Sequence, residues 1–556
     1  IEIARYIEKL RARRLEILRE RGDDELNVEA AFALTYDQLN PAMQLTWRLL
    51  AVFPAPFWDT AAAYVWGVEE GQAQDELGEL VRYSLVEYNA EDPSTVAQGK
   101  YSLHDLLREF ASGLMTNDER LTTSLRHAEF YVQVARQADR LYLKGNENVV
   151  AGLKLFEEEL THIRAGQKWA AENLENDEDA ARLCNEYPNA AAYVRDLRLS
   201  VRENIHWLQD AVRAAKQLGD KSMEGNHLGN LGIAYKNLGE VRRAIEFYEQ
   251  QLVIVREIGD RRGEGNALGN LGLAYAALGE VRRAIEFYEQ ALAVMRDIGD
   301  KRAEGSILGN LGLAYAALGE VRRAIEFYEQ ILVIHREIGD RRGEGADLGN
   351  LGNAYAALGE VRRAIEYYEQ HAAIAREIGD RRGEGNALGN LGVAYKNLGE
   401  VRRAIEFYEQ RIAIAREIGD RRGEGNALGN LGNAYADLGE VRRAIEYYEQ
   451  RIAIARELGD RLGEGIALGN LGNAYLELDD PQKAIELYKQ GLVIAREIGH
   501  RQSEAYRLKD MGRAYEKLRD MNKAKELWRA ALAIFEAIED PNAKEVRRWL
   551  EAKDEG

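Results

Sequence analysis

Between Lys221 and His500 the apolar positions recur in one forty-residue frame, seven times in succession, without an insertion or deletion. In the copy that opens at Asp260, Leu268, Leu271, Tyr275 and Leu278 stand three or four apart, the spacing of one helix face. Asp260 offers a side-chain acceptor that caps this helix, and Gly279 supplies the left-handed residue that ends it. A second helix from Val281 carries Ala284, Ile285, Tyr288, Leu292 and Ile298, and Gly299 closes it before Asp300 opens the next copy. Neither stripe can be covered within one helix pair, so consecutive pairs must stack as an α-solenoid over 201–540. Val201 to Asp220 is already in phase and reads as half a repeat, and Arg501–Asp540 as a diverged eighth repeat. A charged capping helix follows over 541–556, since terminal units meet water on one side.

Upstream the rhythm is lost. Residues 3–21 read as a charged amphipathic helix, the end of an upstream helical part over 1–26. Asn27 caps a helix to Leu39, and Asn40-Pro41 is a cap followed by proline at the first helical position. The apolar helix after it stops before Pro54, and Asp59–Trp66 and Gln72–Tyr83 are two more. Stretches 85–88 and 100–103 read as strands around a polar loop, and Asp105 as the cap of a last helix. Helices, hairpin and helix over 27–118 predict a winged-helix domain, and 119–200 irregular linking helices. The fold class expected is mainly α, a solenoid preceded by a winged-helix domain with a small β-hairpin.

Leu271-Gly272, Tyr275, Ala284, Tyr288 and Ala291 match the spacing of the tetratricopeptide repeat signature, which the array resembles in every copy. The forty-residue period and the absent proline late in the second helix are similar to the repeats of kinesin light chain. They are similar also to those of the spindle-orientation adaptors that carry GoLoco motifs. Upstream of the array, ALTYDQLNPAMQLTWRLLAVFP and YSLHDLLREFA resemble the end of the NB-ARC region of STAND-type signalling ATPases. Leu103-His104-Asp105 would occupy that family's MHD motif. The resemblance implies that His104 approaches the β-phosphate of bound ADP in the resting state, with Asp105 supporting its local geometry. Read alone, Asp105 is a helix cap and His104 a loop residue. No G-x-x-x-x-G-K-[ST] string is present, so this chain is expected to hold no cofactor and to catalyse nothing. ADP or ATP is expected only in a longer parent, in which a nucleotide-binding domain would be an intramolecular partner. The start at Ile1, in mid-helix and without methionine, fits such a fragment.

A net charge of −19 argues against a general nucleic-acid binder. The single Cys184 leaves no disulfide framework and suits a reducing, cytoplasmic setting, and no apolar run reaches membrane-spanning length. Eight scattered histidines give no metal-ligand spacing.

Comparing the copies marks out a candidate ligand face. On a helical wheel of the first helix, most positions that differ between copies lie opposite the constant leucines. One slot runs Ile233, Leu273, Leu313, Asn353, Val393, Asn433, Asn473; others include Lys236, Lys396, Asp437 and Glu477. The second helix adds a slot reading Gln251, Ala291, Ile331, His371, Arg411, Arg451, Gly491, expected as the basic rim of a concave groove. One polar residue never changes: Asn230, Asn270, Asn310, Asn350, Asn390, Asn430, Asn470. Asparagine is a mediocre helix former, so its place in mid-helix needs a reason. Each amide has the donor and acceptor to pair with one peptide unit of an extended ligand, or to bond to the adjacent repeat. Gly269 is open to two readings as well, close approach of a ligand backbone or close contact between repeats. The function expected is the sensing part of a STAND-type ATPase, with a peptide or protein in the groove. The alternative is a static protein–protein scaffold.

Overall fold

The computed structural model describes residues 28–89 and 99–554; the helix expected over 3–21 and the Asn27 cap lie outside these. The chain divides into two compact units, one ending at Val294 and the other starting at Met295. Among the described residues one two-stranded hairpin interrupts an otherwise helical chain.

The first unit opens with α1 (Val28–Asp37) and α2 (Pro41–Leu49), where Asn40 Oδ1 accepts the Met43 N–H at 2.9 Å and Pro41 takes the first helical turn. Next come α3 (Asp59–Trp66) and α4 (Glu70–Arg82), then the antiparallel pair β1 (Glu87–Asn89) and β2 (Lys100–Ser102). Phe57 and Tyr101 exchange backbone hydrogen bonds at 2.8 Å on the other edge of β2. In α5 (Asp105–Leu114) the cap lies one residue earlier than expected. His104 Nδ1 accepts the Leu106 N–H at 3.3 Å, and Asp105 sits in the first turn, paired with Arg108 at 2.5 Å. A carboxylate there favours the positive end of the helix without capping it.

Long helices α6 (Asn117–Lys144) and α7 (Glu147–Asn173) follow, then α8 (Glu178–Ala190), α9 (Ala192–Arg198) and α10 (Val201–Leu218). One apolar core runs from Leu39 and Trp47 through Phe53, Phe57, Tyr131 and Phe156 to Tyr187 and Trp207, so the hairpin module and the linking helices share an interior. A buried polar seam ties them. Glu159, 1% exposed, accepts from Trp58 Nε1 at 2.9 Å and Lys100 Nζ at 2.6 Å. Beside it His127 Nε2 and His162 Nδ1 share a hydrogen bond of 3.2 Å, and the other His162 nitrogen meets the Pro56 carbonyl at 3.1 Å. Burial pushes His162 down to about 4 and His127 well below the usual imidazole value, with the neighbouring ring adding to the latter. Helix α10, expected as the back half of a first repeat, packs on α8 and on α11 (Lys221–Asn237).

From α11 to the diverged eighth repeat, helices of seventeen or eighteen residues alternate in the predicted frame. Asp260 accepts the Gly263 N–H at 2.9 Å, and Gly279 and Gly299 take φ of 78° and 70°. A Cβ at Gly272 would overlap the Tyr288 ring, so this position must be glycine for the helix pair to close. Leu278, expected on the packing face, is instead the C-cap and only half-buried; its counterpart Leu478 is 43% exposed. The wheel placed it by angle, but the helix has ended there. Each repeat also buries a glutamate. In the first unit Glu264 accepts from Arg256 Nε at 2.7 Å and from Arg261. Burial raises its carboxyl, the two guanidiniums outweigh that, and the net shift is downward. In the second unit the next arginines also cross-link repeats, pairing Arg341, Arg381, Arg421 and Arg461 with Glu377, Glu417, Glu457 and Glu497. No helix among the described residues is long and apolar enough to cross a membrane.

Candidate ligand face of the repeats

The asparagines that recur in every first helix are half-buried in all seven copies, at the border between the packed side and solvent. Of the two readings open for them, the structure divides the copies. Asn390 Nδ2 donates to Asn353 Oδ1 at 3.3 Å and Asn470 Nδ2 to Asn433 Oδ1 at 3.1 Å, each across the junction with the preceding repeat. Asn353 and Asn433 are fixed from below, since their Oδ1 atoms also accept from Tyr368 and Tyr448 hydroxyls at 2.8 Å. Asn473 accepts from Tyr488 in the same way at 2.6 Å. Where the slot is aliphatic the link is absent: the Tyr248 hydroxyl, facing Ile233, is buried without a partner. Asn230, Asn270, Asn310, Asn350 and Asn430 accordingly keep their amides without a protein hydrogen bond among the described residues.

Most of the variable first-helix slots reach the surface, but Leu476, in the slot of Lys236 and Lys396, is buried. Ile233, Leu273 and Leu313 are 39%, 37% and 57% exposed, and Lys236 and Lys396 are half-buried. In the second unit a depression of about 200 Å³ gathers Lys396, Asn433, Asp437, Asn470, Asn473 and Glu477 around the Tyr448 ring. Lys396 is tied to Asp437 across the repeat junction at 3.1 Å, so these two are not free charges.

The second-helix slot is not a rim. Gln251, Ala291 and Ile331 are buried, and His371, Arg411 and Arg451 are half-buried, each folded over the glycine that precedes the constant asparagine. A Cβ at Gly349 would lie 3.0 Å from His371 Nδ1, and one at Gly389 or Gly429 would overlap the guanidinium of Arg411 or Arg451. At Gly269 itself a Cβ would meet nothing within 4 Å, so no contact between repeats requires glycine in that copy. After Gly491 the space over Gly469 is taken by Arg507. Among the described residues no hydrogen bond or ion pair reaches the Arg411 or Arg451 guanidinium, and burial lowers the pKa of both. Burial likewise lowers His371, whose Nδ1 has no partner.

Sequence reasoning missed the tyrosine hydroxyls as part of this face. Tyr368, Tyr448 and Tyr488 read as core, yet an asparagine fifteen residues before each was the signal. His104 is exposed, and its ring proton sits on Nε2 when neutral, because Nδ1 accepts from Leu106.

The tetratricopeptide repeat model matches residues 223–297, 303–377, 348–417 and 423–497. A regulatory protein, AfsR of Streptomyces griseus, is 38% identical over 109 residues, which are 19% of this chain and 10% of that protein. The chain therefore spans about a tenth of the length of the curated relatives it matches. Among solved structures, a signal transduction ATPase with numerous domains and a tetratricopeptide repeat sensor, from Pyrococcus horikoshii, is 19% identical with a TM-score of 0.45, over 79% of this chain and 67% of that one. A Podosopora anserina putative kinesin light chain with nearly identical repeats is 27% identical with a TM-score of 0.32, over 35% and 96%.

Proposed function

We propose that the asparagine face binds an extended peptide or protein segment through its backbone, a reading supported by the match of residues 223–297, 303–417 and 423–497 to the tetratricopeptide repeat model. The observation that carries this is the set of half-buried amides left without partners at Asn310, Asn350 and Asn430, while Asn390 and Asn470 are tied down. A half-buried amide without a protein partner can exchange water for a ligand's donor and acceptor. Each free amide can donate to a ligand carbonyl and accept from its N–H, one peptide unit at a time. The unpaired Arg411 and Arg451 guanidiniums, already partly desolvated, add donors for further carbonyl or carboxylate oxygens. A ligand gains more from donors held in place than from flexible surface lysines.

The second part of the proposal is the setting. The Leu103-His104-Asp105 string and the match to a regulatory protein support a sensor that belongs to a STAND-type ATPase. His104 fits that role, since it is exposed and directs an Nε2 donor to solvent, the group that would meet a phosphate oxygen. The nucleotide itself would be held by a domain outside this chain. Ligand binding then acts by favouring one of two arrangements of the parent, in proportion to its differential affinity.

The test is selection of peptides from a displayed random library on the parent chain, then titration of the selected peptides against Asn310, Asn350 and Asn430 changed together to Ala. Two hydrogen bonds at each of three positions, at about 0.5–1 kcal/mol apiece, give a loss of roughly a hundredfold or more. Unchanged affinity with the helical content intact refutes the reading.

A further inference from the structure

In the second unit, two donors converge on one amide oxygen wherever the variable slot holds Asn353 or Asn433. Asn353 Oδ1 accepts from the Tyr368 hydroxyl at 2.8 Å and from Asn390 Nδ2 at 3.3 Å. Asn433 Oδ1 accepts from Tyr448 at 2.8 Å and from Asn470 at 3.1 Å. The copy between them, with Val393 in the slot, keeps both donors and lacks the oxygen. Its tyrosine, Tyr408, lies on the first helix as Tyr368 does: a Cβ at Gly352 or Gly392 would stand 2.6 or 2.7 Å from Cδ1 of the respective ring. The junction to the next repeat is also unchanged, with Arg376 and Arg416 reaching Glu384 and Glu424 at the same 2.6 Å. The Tyr408 hydroxyl and the Asn430 amide therefore face the point that Asn353 Oδ1 fills one repeat earlier. Neither has a hydrogen bond among the described residues.

What stands at that point depends on the length of the slot residue. Leucine and isoleucine carry a carbon out to the δ position, asparagine carries an oxygen there, and valine stops at γ. Val393 is thus the slot residue that leaves the place open, and at 43% exposure it leaves it open to solvent. Beneath Ile233 the Tyr248 hydroxyl is sealed without a partner, whereas that of Tyr408 is not sealed. We propose that the gap over Val393 binds a side-chain carboxamide of the ligand, an asparagine or glutamine, whose oxygen accepts from Tyr408 and Asn430 as the protein's own asparagines do in the neighbouring copies. Tyr408 is 1% exposed, so only a slender group reaches its hydroxyl, and it gives up most of its water to do so. That loss costs a carboxylate far more than a neutral amide. Nearby charges do not reverse the choice, since Arg411 favours an anion at the hydroxyl and Asp437 opposes one. The inference deepens the ligand-face reading and rests on it for the side from which the ligand arrives.

Saturation-transfer NMR titration on the full chain tests this with four capped peptides, acetyl-Ala-Ala-X-Ala-Ala-amide, in which X is Gln, Met, Glu or Lys. The Gln peptide is expected to bind about tenfold tighter than the Met peptide, which has the same reach without the oxygen. Val393→Asn and Val393→Leu each put an atom into the gap and are expected to abolish that preference. Both residue types stand in this slot in sibling copies, so the fold accommodates them. Tyr408→Phe keeps the ring, removes one donor and is expected to cut the preference to about threefold. No preference on the parent chain, a preference that survives Val393→Asn, or Glu or Lys binding as tightly as Gln overturns the proposal. Changing Asn310 and Asn350 together to Ala lowers the affinity of all four peptides alike and leaves the Gln preference intact, so failure of the ladder and failure of this site are read separately.

Discussion

One repeat junction in the second unit breaks the pattern of its neighbours in a way that sets a pH-dependent stability. At the positions filled by the pairs Ala375 and Ala387, Ala415 and Ala427, and Ala455 and Ala467, this junction has His335 and Asp347. His335 Nδ1 and Asp347 Oδ2 share a hydrogen bond of 2.6 Å, and Asp347 is 4% exposed. Burial is the largest effect on its carboxyl, opposed by His335 and reinforced by Asp340 and Glu344, and its pKa rises from 3.8 to about 6. A carboxyl held above its unfolded value favours the folded state while protonated. That contribution is complete below pH about 4 and is lost as pH rises through about 6. The difference of about 2 pKa units corresponds to about 3 kcal/mol. Changing both residues to Ala restores the neighbouring junctions' pairing and removes the titration. Urea unfolding of parent and double variant, followed by far-UV circular dichroism at pH about 4.5 and about 7.5, gives the difference in stability at each pH. The variant is expected to gain on the parent by about 2 kcal/mol between the two pH values. The same difference at both, or a parent that gains as pH rises, refutes the reasoning. Titrations shared by both proteins, such as that of Glu344, cancel in the comparison.

Glycine substitutions are expected to part by position. Gly269→Ala, which meets nothing within 4 Å, stabilises by about 1 kcal/mol through helix propensity, while Gly272→Ala drives a methyl into Tyr288 and costs about 1–3 kcal/mol; thermal unfolding distinguishes them. Asn433→Leu strands the Tyr448 hydroxyl and releases Asn470, at a cost of about 1 kcal/mol in urea unfolding. In the first unit the buried neutral histidines act with the opposite sign to Asp347. His162, lowered to about 4, contributes stability that is full above pH about 6.5 and falls by about 2 kcal/mol by pH 5. Near-UV circular dichroism from Trp47 and Trp58 reports that loss; a signal that is flat down to pH about 4.5 contradicts it.

The array was legible because its information is local. Aspartate caps, left-handed glycines and the forty-residue period each act within a few residues, and the structure keeps all three. The exposed slots were legible for a related reason, since a helical wheel separates the leucine face from its opposite. What it cannot show is the depth of the groove between two helices. His371, Arg411 and Arg451 have the charge of a rim, but each lies over a glycine of the partner helix, a pairing visible only with both helices in place. The two fates of the asparagines were likewise not decided by that residue. They depend on Asn or an aliphatic side chain thirty-seven residues earlier, held by a tyrosine of the intervening helix.

The central claim is recognition of a ligand's backbone, and a scan of backbone N-methylation tests it most directly. A peptide selected on the parent chain is resynthesised with one N–H at a time replaced by N-methyl, which removes a donor and leaves every side chain in place. Each free amide takes one peptide unit, and Asn390 and Asn470 are already bonded. Affinity is therefore expected to fall by about fivefold to tenfold at a few separate positions, those facing Asn310, Asn350 and Asn430, and to hold at the others. An N-methyl scan with no sensitive position, beside an alanine scan that locates all the binding in side chains, contradicts the account.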